Sequence, residues 1–122
     1  MIVVATDAPL SHRNLGRLAR RALAGMARTG AVFSNGSGDY VIAFSTAKEL
    51  RIRAGGGDKT GAAVLKNARM TLLFRAVAEA TEEAILNSLF RATTVSGSGR
   101  TAEAIPVAKV RELLRKPPAV VK

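Results

Sequence analysis

Residues 35–44, NGSGDYVIAF, place a turn-forming segment directly before an apolar run. Asparagine, glycine, serine and aspartate are all common in turns, so residues 35–39 predict a turn. The run at residues 40–44 does not alternate between polar and apolar side chains. Such a run is typical of a short strand that is buried on both faces. The stretch therefore predicts a tight turn that leads into an inner strand of a sheet.

A second strand of the same kind lies near the start of the chain, at residues 2–5, IVVA. Asp7-Ala8-Pro9 ends it with turn-forming residues, and we expect the two strands to share a sheet. Between them, Ser11 is a suitable N-cap for a helix over residues 12–28, with Gly30 as its stop signal. Apolar residues recur there at the three- and four-residue spacing of a helix: Leu15, Leu18, Ala19, Ala22, Leu23 and Met26.

Helical spacing returns in the second half of the chain. Residues 71–90 predict a long helix, with Glu79, Glu82 and Glu83 away from its apolar face. That face is expected to comprise Leu73, Phe74, Val77, Thr81, Ala84, Ile85, Ser88 and Leu89. Residues 92–99 are rich in Thr, Ser and Gly, and residues 107–115 predict a short helix with Val110, Leu113 and Leu114 inward. Residues 116–122 are expected to form a frayed tail.

Length and composition limit the classes of protein. A chain of 122 residues suits one domain, and no stretch is apolar for long enough to span a membrane. The first residues lack the basic region of a signal peptide. Without cysteine the chain can form no disulfide and has no cysteine nucleophile. We therefore expect a cytoplasmic protein that does not associate with membranes.

The charge and the apolar content together suggest a missing partner. Nineteen Lys and Arg against nine Asp and Glu give a net charge of +10, which favours acidic or polyanionic partners. Hydrophobic residues make up 48% of the sequence, a high share for so charged a small chain. Part of the apolar surface is therefore expected to pack against something else.

Two basic features of the sequence are candidate binding sites. Gly55 to Thr60, GGGDKT, ends in Lys-Thr like a phosphate-binding loop, but Asp58 stands where that loop has glycine, so a flexible loop is the better interpretation. Arg13, Arg17, Arg20 and Arg28 form a stripe on the first helix that could follow a nucleic-acid backbone. Aromatic residues make up only 4% of the chain, which argues against stacking on single strands.

Conventional catalytic and metal sites are poorly supported. His12 is the only histidine and lies at the predicted start of a helix, where a capping or surface role is the simpler interpretation. No cluster of His, Asp and Glu has the spacing of metal ligands, so neither a metal nor a cofactor is expected. The segment Asn35-Gly36-Ser37-Gly38-Asp39 could be an ordinary turn. Its glycines could instead let the backbone approach a reacting centre, where Ser37 and Asp39 would align a nucleophile.

The order of the elements carries a resemblance to a known family. Five segments follow one another along the chain: ATDAPL, RNLGRLARRALAGMARTG, NGSGDYVIAFST, AVAEATEEAILNSLF and TAEAIPVAKVRELLR. Together they resemble the C-terminal β segment of the DmpA-type L-aminopeptidase/D-Ala-esterase/amidase family. That family includes the β-peptidyl aminopeptidases. The resemblance runs over residues 2–115 as a single segment.

The resemblance implies an N-terminal-nucleophile hydrolase. In such a protein a precursor cleaves itself before a serine, and the new N-terminal serine attacks the substrate carbonyl. Its free α-amino group, with an ordinary pKa of about 8, serves as the base, so no histidine is needed. By the family pattern, Ser37 and Asp39 support this nucleophile by hydrogen bonding, within the loop of Asn35, Gly36 and Gly38. The implied fold is α/β, part of a four-layer αββα sandwich with inner strands and two long helices on one outer face.

The sequence departs from that pattern at its start. The implied nucleophile falls about two positions before Met1, and the longer α segment is also not in these 122 residues. We therefore expect a β-subunit-like fragment of a serine aminopeptidase that is inactive alone. Its expected partners are the α segment, a peptide, amide or ester substrate, and further αβ units in an oligomer. The alternatives are a basic nucleic-acid-binding module or a truncated remnant without function.

Overall fold

The computed structural model of the chain describes residues 1–51, 54–55 and 63–115. It divides into two compact units, Met1–Ile85 and the residues from Leu86 onward. The first unit contains β1 (Ile2–Thr6), α1 (His12–Arg28), β2 (Val41–Ser45), single 3-10 turns at Lys48–Leu50 and Asn67–Arg69, and most of α2 (Met70–Arg91). Both predicted strands and both long helices are therefore confirmed, within one or two residues at each end.

The strands β1 and β2 form a two-stranded parallel sheet. Their register runs from Ile2 beside Val41 to Thr6 beside Ser45. Parallel neighbours cannot be joined by a tight hairpin, so the chain must cross back over the sheet between them. The helix α1 makes this crossover, and the segment before β2 then returns the chain to the end of the sheet at which β1 begins.

The ends of α1 are fixed by local hydrogen bonds. The backbone N–H of Asn14 donates to Ser11 Oγ at 3.3 Å, as expected for a serine N-cap. At the other end, the Thr29 hydroxyl donates to the Met26 carbonyl at 2.7 Å. Gly30 follows with a φ of 92°, a left-handed conformation that glycine adopts without strain. The predicted cap and stop signal are both confirmed.

One face of the sheet packs on a core that both long helices supply. Leu18 and Ala22 of α1 and Met70 and Val77 of α2 are buried together with Leu10. Side chains from the near face of the sheet pack against this cluster: Ile2, Val4 and Val41. Within the first unit, α1 and α2 thus belong to a single core on one side of the β1–β2 pair.

The opposite face of the sheet is open, so the prediction that both strands are buried on two faces is wrong for this chain. Val3 is 59% exposed, Ile42 52% and Phe44 44%. Burial alternates along each strand, with every second residue facing solvent. Because the sequence does not alternate in polarity, the exposed positions are apolar as well, which leaves an uncovered apolar surface.

Inward packing of α2 is confined to its first part. Met70, Val77 and Thr81 are buried, whereas Ala84, Ser88 and Leu89 are exposed, contrary to the predicted apolar face. The spacing of apolar residues continues to the end of the helix. Apolar spacing in this helix therefore continues beyond the residues that are buried.

The second unit contains the end of α2, a hairpin and a short helix. Strands β3 (Val95–Gly97) and β4 (Arg100–Ala102) are antiparallel and joined by Ser98-Gly99, both with positive φ. This hairpin was not predicted from the sequence, although a two-residue turn ending in glycine is its usual signal. The predicted last helix is confirmed as α3 (Val107–Arg115), but Leu113 and Leu114 are exposed rather than inward.

The predicted tail at residues 116–122 lies outside the described residues. Across the parts of the chain that are described, none of the helices has the length and apolarity needed to cross a membrane.

The helices α1 and α2 come close together at Gly25. A Cβ atom added there would lie 2.3 Å from the carbonyl oxygen of Ala78 and 2.8 Å from the Cβ of Thr81. Both distances are shorter than any ordinary contact, so only glycine allows the two backbones to pack this closely. Glycine otherwise weakens a helix interior, and the close contact explains why it is present.

Replacing Gly25 by alanine is therefore expected to destabilise the chain by about 1–3 kcal/mol, since the two helices must move apart. Gly16 of the same helix provides a matched control, because a Cβ there meets nothing within 4 Å. We expect Gly16→Ala to stabilise the chain by about 0.5–1 kcal/mol through helix propensity alone. Urea unfolding followed by circular dichroism measures both, and equal effects of the two substitutions would contradict the close packing.

Candidate functional site

The segment at residues 34–40 forms a turn that is fixed to the first strand. The backbone N–H of Ser37 donates to the Ser34 carbonyl at 2.9 Å, which closes the turn. Gly36, inside the turn, has a φ of 130°, within the region that favours glycine. The turn predicted from NGSGD is confirmed, and Asn35 and Gly36 are the two residues at its tip.

Ser37 and Asp39 contact each other directly. The Ser37 hydroxyl donates to Oδ2 of Asp39, and both residues are exposed. With its proton engaged by a carboxylate, the serine oxygen presents its lone pairs outward as hydrogen-bond acceptors. The pair can therefore accept a proton-bearing group, such as an ammonium or a hydroxyl, held next to the loop.

The parallel register places this pair beside the beginning of β1. The backbone N–H of Ile2 donates to the Tyr40 carbonyl at 2.9 Å, and Ile2 lies beside Val41. Continuing the same register backward puts Met1 beside Tyr40.

Tyr40 is a neighbour of the site that the sequence analysis did not select. A Cβ atom on Gly38 would lie 3.3 Å from Cε2 of the Tyr40 ring, so the ring lies on the side of Gly38 where a side chain would stand. Tyr40 is 69% exposed and is the only tyrosine in the chain. No signal in the sequence could have identified it, because the contact depends on how the loop folds back.

The stripe of arginines is partly used within the fold. Arg17 donates to the side-chain oxygens of Asn14 and Asn67, and its guanidinium carbon lies 4.9 Å from the centre of the Phe74 ring. Arg21 lies at the same distance from that ring. Arg28 pairs with Glu82 at 3.3 Å, so Glu82 is not simply a solvated residue. The contacts with Phe74 and Glu82 join α1 to α2, and together these interactions leave fewer arginines for a polyanion.

The other candidates gain no support. His12 is exposed at the first residue of α1, near the carboxyl end of β1, whereas Ser37 precedes the amino end of β2. The topology thus keeps the histidine apart from the Ser37–Asp39 pair. Of the loop compared with a phosphate site, residues 56–60 lie outside the described residues. The described ranges contain no group of three or more His, Asp or Glu side chains that could hold a metal ion.

Comparisons with known proteins agree on one family. Residues 1–102 match the model of Peptidase family S58. The chain is 45% identical, over 95% of its length, to the beta-peptidyl aminopeptidase BapA of Sphingosinicella microcystinivorans, of which it covers 29%. The resemblance drawn from the sequence alone is confirmed.

Two solved structures share the fold of the chain. A protein of Pyrococcus horikoshii superposes with a TM-score of 0.85 at 43% identity, over 93% of this chain and 32% of that one. The L-aminopeptidase D-Ala-esterase/amidase of Ochrobactrum anthropi gives a TM-score of 0.82 at 34% identity, over the same 93% and 32%. The latter is described as a prototype of the serine aminopeptidases and a variant of the Ntn hydrolase fold.

The chain therefore corresponds to one part of these longer proteins and spans about a third of their length or less. The chain has an α/β architecture, and its residues 1–102 match the family model. This chain belongs to Peptidase family S58.

Proposed function

We propose that this chain is the β-chain portion of a serine aminopeptidase that removes N-terminal residues from peptides, amides or esters. The observation that carries the proposal is the Ser37–Asp39 hydrogen bond, held by the parallel register next to the beginning of β1. A nucleophilic serine two positions before Met1 would lie beside Gly38. Its α-amino group and hydroxyl would both fall within reach of the pair.

In this proposal the serine hydroxyl attacks the substrate carbonyl while its own α-amino group takes the proton. The carbonyl–nitrogen or carbonyl–oxygen bond then breaks, and the leaving group receives that proton. Water hydrolyses the resulting ester and restores the serine. An α-amino group has an ordinary pKa of about 8, so it can act as the base at neutral pH.

Ser37 and Asp39 support the nucleophile without reacting. Asp39 accepts the proton of the Ser37 hydroxyl and thereby fixes the direction in which the Ser37 oxygen accepts a hydrogen bond. An ammonium formed on the N-terminal serine during attack could donate to that oxygen. The negative charge of Asp39 would stabilise this ammonium, whose positive charge develops only as the reaction proceeds.

The proposed fold of the longer protein is a four-layer αββα sandwich. The open face of the β1–β2 sheet supports it, since three large apolar side chains are exposed there: Val3, Ile42 and Phe44. A second sheet from the upstream α segment, produced by self-cleavage of a common precursor, would cover this face. We further propose that several αβ units assemble into an oligomer in the cytoplasm and that catalysis requires no cofactor.

The first prediction of this proposal concerns the form of the native protein. If it is isolated from its source, we expect N-terminal sequencing to find a serine two positions before Met1 and mass spectrometry to find a larger companion chain. The 122-residue chain alone should release no amine from an aminoacyl anilide, because it lacks the nucleophile. A native chain that begins at Met1 and comes alone would overturn the proposed enzyme.

A second prediction concerns the carboxylate of Asp39. In the assembled enzyme, Asp39→Asn should lower turnover of an aminoacyl anilide by at least about tenfold, since the ammonium loses its counter-charge. Asp7→Asn is a matched control, because Asp7 is also exposed but follows β1 at the opposite end of the sheet. Turnover that falls equally in both variants, or in neither, would remove Asp39 from the site.

A third prediction concerns the open sheet face. We expect Ile42→Lys to prevent the larger chain from copurifying, because a charge would be buried between two sheets. In the 122-residue chain the same substitution should change the unfolding midpoint little, since Ile42 is half exposed. Val32→Lys serves as the control, since Val32 is 85% exposed and lies outside the strands. Retention of the larger chain by Ile42→Lys would contradict coverage of this face.

A further inference from the structure

The loop that carries Ser37 and Asp39 has an unusual requirement for rigidity. Gly36 and Gly38 flank Ser37, and glycine gives a backbone more conformational freedom than any other residue. A hydrogen-bonding pair that aligns a nucleophile needs the opposite property, because small displacements reduce rates strongly. The restraint must therefore come from contacts around the glycines.

On the amino-terminal side the restraint is the turn itself. The Ser37 N–H donates to the Ser34 carbonyl at 2.9 Å, which fixes the backbone ahead of Gly38. On the carboxyl-terminal side, the Tyr40 carbonyl is held by the Ile2 N–H at 2.9 Å. Gly38 and Asp39 lie between these two anchors, and the contact described for Gly38 is with the Tyr40 ring.

That contact also accounts for glycine at position 38. Unlike Gly36, Gly38 does not have a left-handed φ, so its backbone conformation is open to any residue. A Cβ atom would lie 3.3 Å from Cε2 and 4.0 Å from the hydroxyl oxygen of Tyr40. The first distance is shorter than the 3.5–4.0 Å or so at which carbon atoms pack. A side chain at position 38 would therefore push the Tyr40 ring away from its place beside Gly38.

Side-chain direction separates the ring from the polar pair. The Ser37 and Asp39 side chains meet each other, while the Tyr40 ring meets the side of Gly38 on which a Cβ would stand. Residues two apart in an extended chain point to the same side, and their neighbours point to the other. Tyr40 therefore packs behind the pair without competing for its hydrogen bonds.

We propose that Tyr40 is a positioning residue: its ring, which lies beside Gly38, fixes where the Ser37–Asp39 pair lies relative to the start of β1. This rests on the proposed function for its catalytic consequence, though not for the contact itself. The ring acts by packing, so its hydroxyl is dispensable. Because Tyr40 is 69% exposed, the residue contributes little to the stability of the fold.

The kinetic test uses the assembled enzyme and an aminoacyl anilide. Tyr40→Leu should lower kcat about tenfold with KM unchanged, since the nucleophile is misaligned after the substrate has bound. Tyr40→Phe should keep nearly normal kcat, and both variants should unfold at the wild-type midpoint. Gly38→Ala should also lower kcat, and combining it with Tyr40→Leu should lower kcat no further than the worse single change, because both break one contact.

Two kinetic outcomes would overturn the proposal. If Tyr40→Phe is as slow as Tyr40→Leu, the hydroxyl takes part in chemistry and packing is not the cause. If Tyr40→Leu raises KM alone, the ring contacts substrate instead of holding the loop. Unchanged kinetics in Tyr40→Leu would likewise remove Tyr40 from the site. Asp39→Asn is measured alongside, so a failure of the proposed enzyme is recognised separately from a failure of the role of Tyr40.

A second readout needs no activity. Tyr40 is the only tyrosine, so its ring protons are assigned unambiguously in an NMR spectrum of the 122-residue chain. We expect a nuclear Overhauser effect between a Gly38 Hα proton and the Tyr40 ring. We also expect amide shifts at Ser37 and Asp39 that move in Tyr40→Leu but not in Tyr40→Phe. Loss of the first signal, or identical shifts in all variants, would overturn the proposal whatever the enzyme does.

Discussion

The parallel pairing of β1 with β2 is the constraint on which the rest of the structure depends. Two parallel strands cannot be joined by a hairpin, so the chain must return through α1 before it starts β2. That return brings the loop at residues 34–40 to the same end of the sheet as the beginning of β1. The Ile2 N–H bond to the Tyr40 carbonyl then fixes the two segments side by side. A slip of the register by one residue would put the loop beside a different backbone position and reverse the side chains of the moved strand.

The same two strands explain why the chain exposes an apolar surface. Their near face packs on α1 and α2, where Gly25 lets the helix backbones come close and Arg17 and Arg21 lie against Phe74. Their far face is apolar and open. Fully burying an exposed side chain of this size is worth roughly 1.5–3 kcal/mol, and covering these half-exposed side chains would contribute about half of that each. The open face thus accounts for a high apolar content in a strongly charged chain.

The sequence predicted the elements well and their surroundings less well. Caps, stop signals and helical spacing act locally, so α1, α2 and α3 could be located from them, together with the two strands. Burial depends on what packs against an element, and β1 and β2 have the apolar pattern of strands covered on both faces although this chain covers only one. The exposure of Leu113 and Leu114 of α3 was mispredicted because apolar spacing was read as burial. The β3–β4 hairpin was missed because its strands are three residues long, too short for a periodic signal.

For the candidate site, residue types indicated the pair but could not supply its geometry. The residue types at positions 35–39 are equally consistent with any exposed turn. A family pattern was needed to give Ser37 and Asp39 a role. The fold adds two things that the sequence does not show. These are the hydrogen bond between Ser37 and Asp39 and its position beside the start of β1. In the proposed enzyme the nucleophile extends β1 while its support precedes β2. Adjacent strands of one sheet would then hold both halves of the site, and their relative position would be fixed by backbone hydrogen bonds rather than by flexible side chains.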